Sequence, residues 1–146
     1  MKLEGSYIFD APPETVWKVI TDPNVISQCI PGLEKLLPIG EDVYETVVKT
    51  GVGSMKGTFT GKVMMTDKQP PRQYKLIIEG KSTIGFGKGE GLITLDGQPD
   101  GKTLVSCTGD AQVGGTIAVV GQRVIGAAAQ MMLNQFFEAM SRQVKP

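Results

Sequence analysis

The chain has 146 residues, 40% of them hydrophobic and 21% charged, enough apolar material for the core of one domain spanning 1–146 and for no second one. Its 15 basic and 15 acidic residues cancel, so it lacks the cationic excess needed to neutralise a phosphate backbone, and no nucleic-acid partner is expected. Histidine is absent, which excludes imidazole-based metal sites and Ser-His-Asp hydrolysis together.

The N-terminal MKLEGSYIFDAPP lacks the apolar run of a secretory signal, and no stretch of ~20 apolar residues is present to span a bilayer. A cytoplasmic protein is expected. Cys29 and Cys107 are two and far apart, which fits small buried thiols in a reducing compartment better than a disulfide scaffold.

In chain order, residues 3–9 alternate with period two, the pattern of a half-buried strand. Asp10-Ala11-Pro12-Pro13 ends it and opens a helix over 13–21, with Val16, Trp17 and Ile20 on one face. Asp22-Pro23 breaks that helix, and a second, 23–29, carries Val25, Ile26 and Cys29 before Pro31-Gly32 turns the chain. Six further strands are predicted at 33–39, 43–50, 54–67, 73–80, 85–95 and 103–113, separated by Gly-, Pro- and Asp-rich turns. Short connections make them antiparallel neighbours.

The last element is the longest. Residues 116–143 read as one amphipathic helix of ~42 Å, capped by Thr116 after the flexible Gly114-Gly115. Gly121, Ile125, Ala128, Ala129, Met132, Phe136, Ala139 and Met140 form its apolar side, and Arg123, Gln130, Asn134, Glu138 and Ser141 its polar side. A sheet with one apolar face needs a cover, and only this helix is large enough to be one.

Strand alternation places glycines on the inner face: Gly57 and Gly61, then Gly87, Gly89 and Gly91, then Gly109. A sheet that only packed a core would carry large side chains there, since interiors are close-packed. With Gly121, Ala128 and Ala129 opposite, the pattern predicts space between sheet and helix; glycines also mark bulges and curvature, and both roles can coexist.

Other motifs carry less. Gly85-Phe86-Gly87-Lys88-Gly89-Glu90-Gly91 alternates strictly and continues as strand, unlike a phosphate loop that opens a helix. The Gly114-Gly115-Thr116 junction does open a helix, where plain capping competes with holding an anionic or carbonyl group. Asp10, Glu14 and Asp22 beside the first helices are explained by capping and the helix dipole. Met55, Met64, Met65, Met131, Met132 and Met140 suit an irregular core or a pocket for varied apolar ligands.

Ala11-Pro12, Val16-Trp17, Asp22-Pro23 with Cys29-Ile30-Pro31-Gly32, the stretch GTFTGKVMMTDKQPP at 57–71, and Val113-Gly114-Gly115 leading to Gly121-Gln122-Arg123 resemble the G-subunit family of carbon monoxide dehydrogenase. That family belongs to the Bet v 1-like and START-like helix-grip (SRPBCC) superfamily, and the resemblance covers essentially the whole chain. It implies an α+β helix-grip fold: a seven-stranded curved antiparallel sheet wrapped around a long C-terminal helix, two short helices after strand one, and a cavity between. It also implies association with a molybdenum-containing carbon monoxide dehydrogenase or related hydroxylase, and its recruitment to the inner face of the membrane. Longer members carry a C-terminal extension; this chain ends at Lys145-Pro146, so no built-in anchor is expected and only peripheral membrane contact is. The resemblance brings no catalytic residues, and the CIPG element, residues 29–32, reads as architectural.

Together these readings predict a non-enzymatic carrier of a hydrophobic small molecule, lipid-like or quinone-like, with no metal or organic cofactor implied. Expected lining residues are Phe59, Val63, Met65, Tyr74, Leu76, Ala128, Met132 and Phe136, with Gly87 and Gly89 leaving room and Ile26 and Ile30 near the entrance. The alternative is a docking factor for the redox enzyme, with an incidental cavity. A cyclase or hydrolase on this fold would need a convergent acid–base cluster, and none is visible.

Overall fold

The structure is a computed structural model and describes residues 1–144. Lys145 and Pro146, at which no anchor is expected, lie outside the described residues. Strand β1 (Lys2–Phe9) leads into helices α1 (Pro13–Ile20) and α2 (Pro23–Cys29). Six strands follow: β2 (Leu33–Gly40), β3 (Val43–Val52), β4 (Met55–Gln69), β5 (Gln73–Ser82), β6 (Gly85–Gly97) and β7 (Thr103–Gly114). A 3-10 turn (Thr116–Val120) and helix α3 (Gln122–Gln143) complete the fold. The sheet runs β1-β7-β6-β5-β4-β3-β2 with every neighbouring pair antiparallel, so β2 to β7 form a meander and β1 closes on β7.

Local chemistry sets the helix boundaries. Pro13 opens α1, where its missing N–H is no loss, and Val16 and Ile20 bury one face four residues apart. The Asp22 carboxylate accepts a hydrogen bond from the Asn24 N–H at 2.8 Å and caps α2, which accounts for one of the three acidic residues near these helices. After α2, Gly32 adopts φ 77°, and a Cβ there would meet the Lys49 carbonyl. CIPG is therefore an architectural turn, closed by the Lys49 N–H donating to the Gly32 carbonyl at 2.8 Å.

The long helix differs from its sequence reading in two respects. It begins at Gln122, because Gly121 takes φ 95° and ψ 150°, a conformation that separates the 3-10 turn from α3. Thr116 caps nothing: it lies inside the 3-10 turn, whose N-cap is Gly115, and α3 is capped by Gly121 without a side-chain bond. Twenty-two residues give ~33 Å, shorter than the 28-residue reading.

The side of α3 read as polar is also partly engaged. The Tyr7 hydroxyl donates to Asn134 Oδ1 at 2.7 Å, and Gln130 Nε2 donates to the Glu4 carbonyl at 2.8 Å and to Asn134 Oδ1 at 3.1 Å. Gln130 Oε1 in turn accepts the Glu4 N–H at 3.4 Å, so one amide side chain pairs with the free edge of β1. Phe137, absent from the predicted apolar side, is fully buried and stacks on Tyr7 with ring centroids 5.0 Å apart.

The closed core occupies the end of the molecule where α1 and α2 meet the second half of α3. Phe9, Val16, Ile20, Tyr74, Ile93, Val105, Phe137 and Met140 are all but inaccessible there. Trp17 meets Tyr74 edge-to-face at 5.5 Å. Thr103, buried among them, donates its hydroxyl to the Ala11 carbonyl at 2.7 Å and so leaves no orphaned polar atom.

Candidate ligand site between sheet and helix

The inner face of the sheet changes character from one end to the other. At the closed end it carries Tyr74, Ile93, Leu95 and Val105, all buried. Toward the turns β3–β4 and β5–β6, register aligns Tyr44, Val63, Ile78, Gly89 and Ala111 in one row. Thr46, Gly61, Gly80, Gly87 and Val113 make the next. Ile78 points to the helix side yet is 48% exposed. An isoleucine half exposed on an inner face marks space that no side chain fills.

The glycines divide into two kinds. A Cβ on Gly109 would run into the Glu90 carbonyl and lie 2.9 Å from the Gly91 Cα; on Gly61 it would meet the Glu79 carbonyl and lie 2.6 Å from the Gly80 Cα. These two are required by close backbone approach, the curvature role. A Cβ on Gly89 would find nothing nearer than the Asp110 carbonyl at 3.5 Å, on Gly80 the Phe59 Cβ at 3.5 Å, and on Gly87 the Gln112 carbonyl at 3.9 Å. No packing contact demands glycine at those three, and they leave the inner face open.

The expected lining residues also divide. Val63, Met65, Tyr74, Leu76 and Ile26 belong to the buried core, with Ile30 and Phe136 packed partly against it. Phe59, Gly87, Gly89, Ala128 and Met132 are only half covered. Reading the sequence missed Thr50, whose hydroxyl lies 3.6 Å from the Met132 sulfur and links β3 to α3 across the gap, and Ile78 as a lining residue. Period-two alternation along 44–50 was the signal available for Thr50. Around the β3–β4 hairpin runs an open groove of about 550 Å³ lined by Lys49, Thr50, Gly51, Gly53, Lys56, Gly57 and Thr58. A smaller depression of about 160 Å³ on the outer face, between Lys75, Glu90 and Asp110, lies away from the helix.

Both thiols and two phenols of the adjoining core are held protonated. Burial pushes the Cys107 thiol up to about 11 and, aided by the charges of Cys107 and Glu138, the Tyr7 phenol up to about 12. Burial also raises Tyr74 and Cys29, for Cys29 against the opposing charge of Arg142. Held protonated at neutral pH, these groups supply neither a base nor a nucleophile. Among the described residues no cluster of Cys, Asp or Glu has the arrangement of a metal site, and no helix is long and apolar enough to cross a membrane.

A curved antiparallel sheet gripping a C-terminal helix, with two short helices after the first strand and an open inner face, is the helix-grip architecture of START-like and Bet v 1-like proteins. Within that class the chain belongs to CoxG, the G-subunit family of carbon monoxide dehydrogenase, which it matches over residues 5–145. A conserved protein from Geobacillus kaustophilus is 34% identical, with a TM-score of 0.92 over 98% of this chain and 94% of that one. A START superfamily protein from Mycobacterium smegmatis shares the fold at 12% identity and a TM-score of 0.72, covering 98% and 96% of the two chains. The Zhui aromatase/cyclase from Streptomyces sp. R1128 shares it at 22% identity and 0.54, covering 97% and 86%. No curated protein sequence matches the chain.

Proposed function

We propose that this protein binds a hydrophobic small molecule, lipid-like or quinone-like, between the inner face of the sheet and α3, without chemically changing it. The observation that carries this reading is the open inner face: half-exposed Ile78 beside Gly80, Gly87 and Gly89, none of which needs to be glycine for packing. Ala128 and Met132 supply the helix wall and Phe59 the sheet wall, while Met65, Tyr74 and Leu76 form the floor that the tail of a ligand would reach. The absence of histidine and the upward shifts of both thiols and of the Tyr7 and Tyr74 phenols favour binding over catalysis. Native mass spectrometry of gently purified protein is expected to reveal a bound apolar molecule. Adding a quinone or lipid at ~100-fold over its dissociation constant should stabilise the fold by ~2.7 kcal/mol, a rise of several degrees in melting temperature. A protein that is always empty and indifferent to quinones and lipids would sink the reading.

The family description favours a second role, as an accessory that docks a molybdenum hydroxylase of carbon monoxide dehydrogenase type. Co-purification of such an enzyme from the native host, unaffected by filling the space with Ala128→Leu, would assign the function to docking and leave the cavity incidental.

A further inference from the structure

This inference rests on the binding reading above and concerns what the ligand carries at its exposed end. The open end of the molecule comprises residues 48–59, 81–87 and 113–128, which is the β3–β4 hairpin, the β5–β6 turn and the start of α3. These segments hold Lys49, Lys56, Lys81 and Arg123 and no aspartate or glutamate. Of 15 basic and 15 acidic residues, the rest of the chain keeps eleven basic against all fifteen acidic, so a neutral protein is electrically sorted, with its positive end at the opening.

The strand register sets no acidic residue directly opposite these lysines. Lys49 stands opposite Thr58, Lys56 opposite Gly51, and Lys81 opposite Thr60 and Phe86, whereas Lys62 and Lys88 further along the strands each face Glu79. The ion pairs among the described residues, Lys68 with Asp42 and Lys75 with Asp67, belong to the other part of the sheet. Like charges gathered at one end repel one another.

The groove of about 550 Å³ at the hairpin places two of them, Lys49 and Lys56, around one concavity. Lys49 and Lys56 come from the outer face of β3 and β4, Thr50 and Gly57 from the inner face. Thr50 borders both spaces, since its hydroxyl lies 3.6 Å from Met132 on the helix wall. Gly57 lies under the β5–β6 turn, where a Cβ would come 3.1 Å from the Ile84 side chain.

We propose that the ligand is an amphiphile with one anionic head, a carboxylate or a phosphate. Lys49 and Lys56 hold the head in the hairpin groove, with the Thr58 hydroxyl as a further donor, and the tail passes Met132 into the space beneath α3. Ammonium groups act as point charges without the fixed fork of arginine, so either head is accepted.

The test compares oleate, oleoyl lysophosphatidate and methyl oleate, each below its aggregation threshold, on the full chain by native mass spectrometry and fluorescence displacement. Oleate and the lysophosphatidate are expected to bind about fivefold or more tightly than the neutral ester, with the difference shrinking as salt is raised. Lys49→Gln with Lys56→Gln should remove that preference and leave methyl oleate binding unchanged, while Lys18→Gln with Lys102→Gln, remote from the groove, should keep it. Equal binding of oleate and its ester by the unaltered chain, or a preference that survives the Lys49/Lys56 pair, overturns the head-group assignment while the apolar site stands. No binding of any of the three, ester included, removes the binding reading itself. Co-sedimentation with dioleoylphosphatidylglycerol vesicles and no uptake of free oleate means that the lysines meet a membrane surface, which also overturns the proposal.

Discussion

Gly89 and Gly109 share one face of the sheet and one residue type, and differ only in what lies above them. Adding a methyl at Gly109 drives it into the Glu90 carbonyl, and backbone on a neighbouring strand cannot step aside. Gly109→Ala is therefore expected to cost about 2–3 kcal/mol. Gly89→Ala meets only ordinary contacts from 3.5 Å outward and should change stability by less than about 0.5 kcal/mol, or raise it slightly by restricting the unfolded chain. Urea denaturation of the two variants checks this; similar losses at both would mean that Gly89 is also a curvature glycine. Their alternation was visible in the sequence, but their division into two roles was not, because it depends on how near β6 and β7 come to each other.

At the level of elements, α3 is positioned by its start and its middle. Gly121 sets where the helix begins, and Gln130 and Asn134 fasten its middle to the edge of β1 through Glu4 and Tyr7. Nothing lies within 4 Å of a Cβ built on Gly121, so Gly121→Ala tests backbone conformation alone. Its φ of 95° with ψ of 150° belongs to a region nearly restricted to glycine, and the substitution should cost ~1–3 kcal/mol in thermal or urea unfolding. A neutral result would show that the 3-10 turn can merge into one continuous helix, as the amphipathic pattern of 116–143 suggests. That pattern is real but local: Gln130 and Asn134 look solvent-facing on a helical wheel, and only the nearness of an unpaired strand edge turns them inward.

Across the whole molecule, one end is closed by aromatic and aliphatic packing and the other is open and basic, and the two ends respond to different variables. On the proposed reading, ligand and salt act at the open end. Alkali acts on the covered interior, where Cys107 titrates near 11 against an ordinary 9.0 and Tyr7 near 12 against 10.0. Both folded values are raised, so the unfolded chain loses these protons first. Their stabilising contribution is complete below pH 9 and is lost as pH rises through 11 to 12. Cys107 accounts for about 2 kcal/mol of that loss. A urea midpoint that falls from pH 9 towards 11, and falls less steeply in Cys107→Ala, is the expected observation; a flat profile would mean that the thiol is hydrated in the folded state.

The amino-acid sequence by itself determined the order of the seven strands and three α-helices, the inner-face glycines of β4, β6 and β7, the two buried thiols and the exclusion of imidazole chemistry. Each of these follows from periodicity, turn residues or composition, which act over a few positions. Tertiary structure alone decided which glycines touch backbone, where α3 begins, that Thr50 reaches Met132, and that Lys49 and Lys56 line one groove. Those features join residues far apart in the chain, Thr50 with Met132 and Glu90 with Gly109. Their juxtaposition exists only once strand register and sheet curvature bring them together.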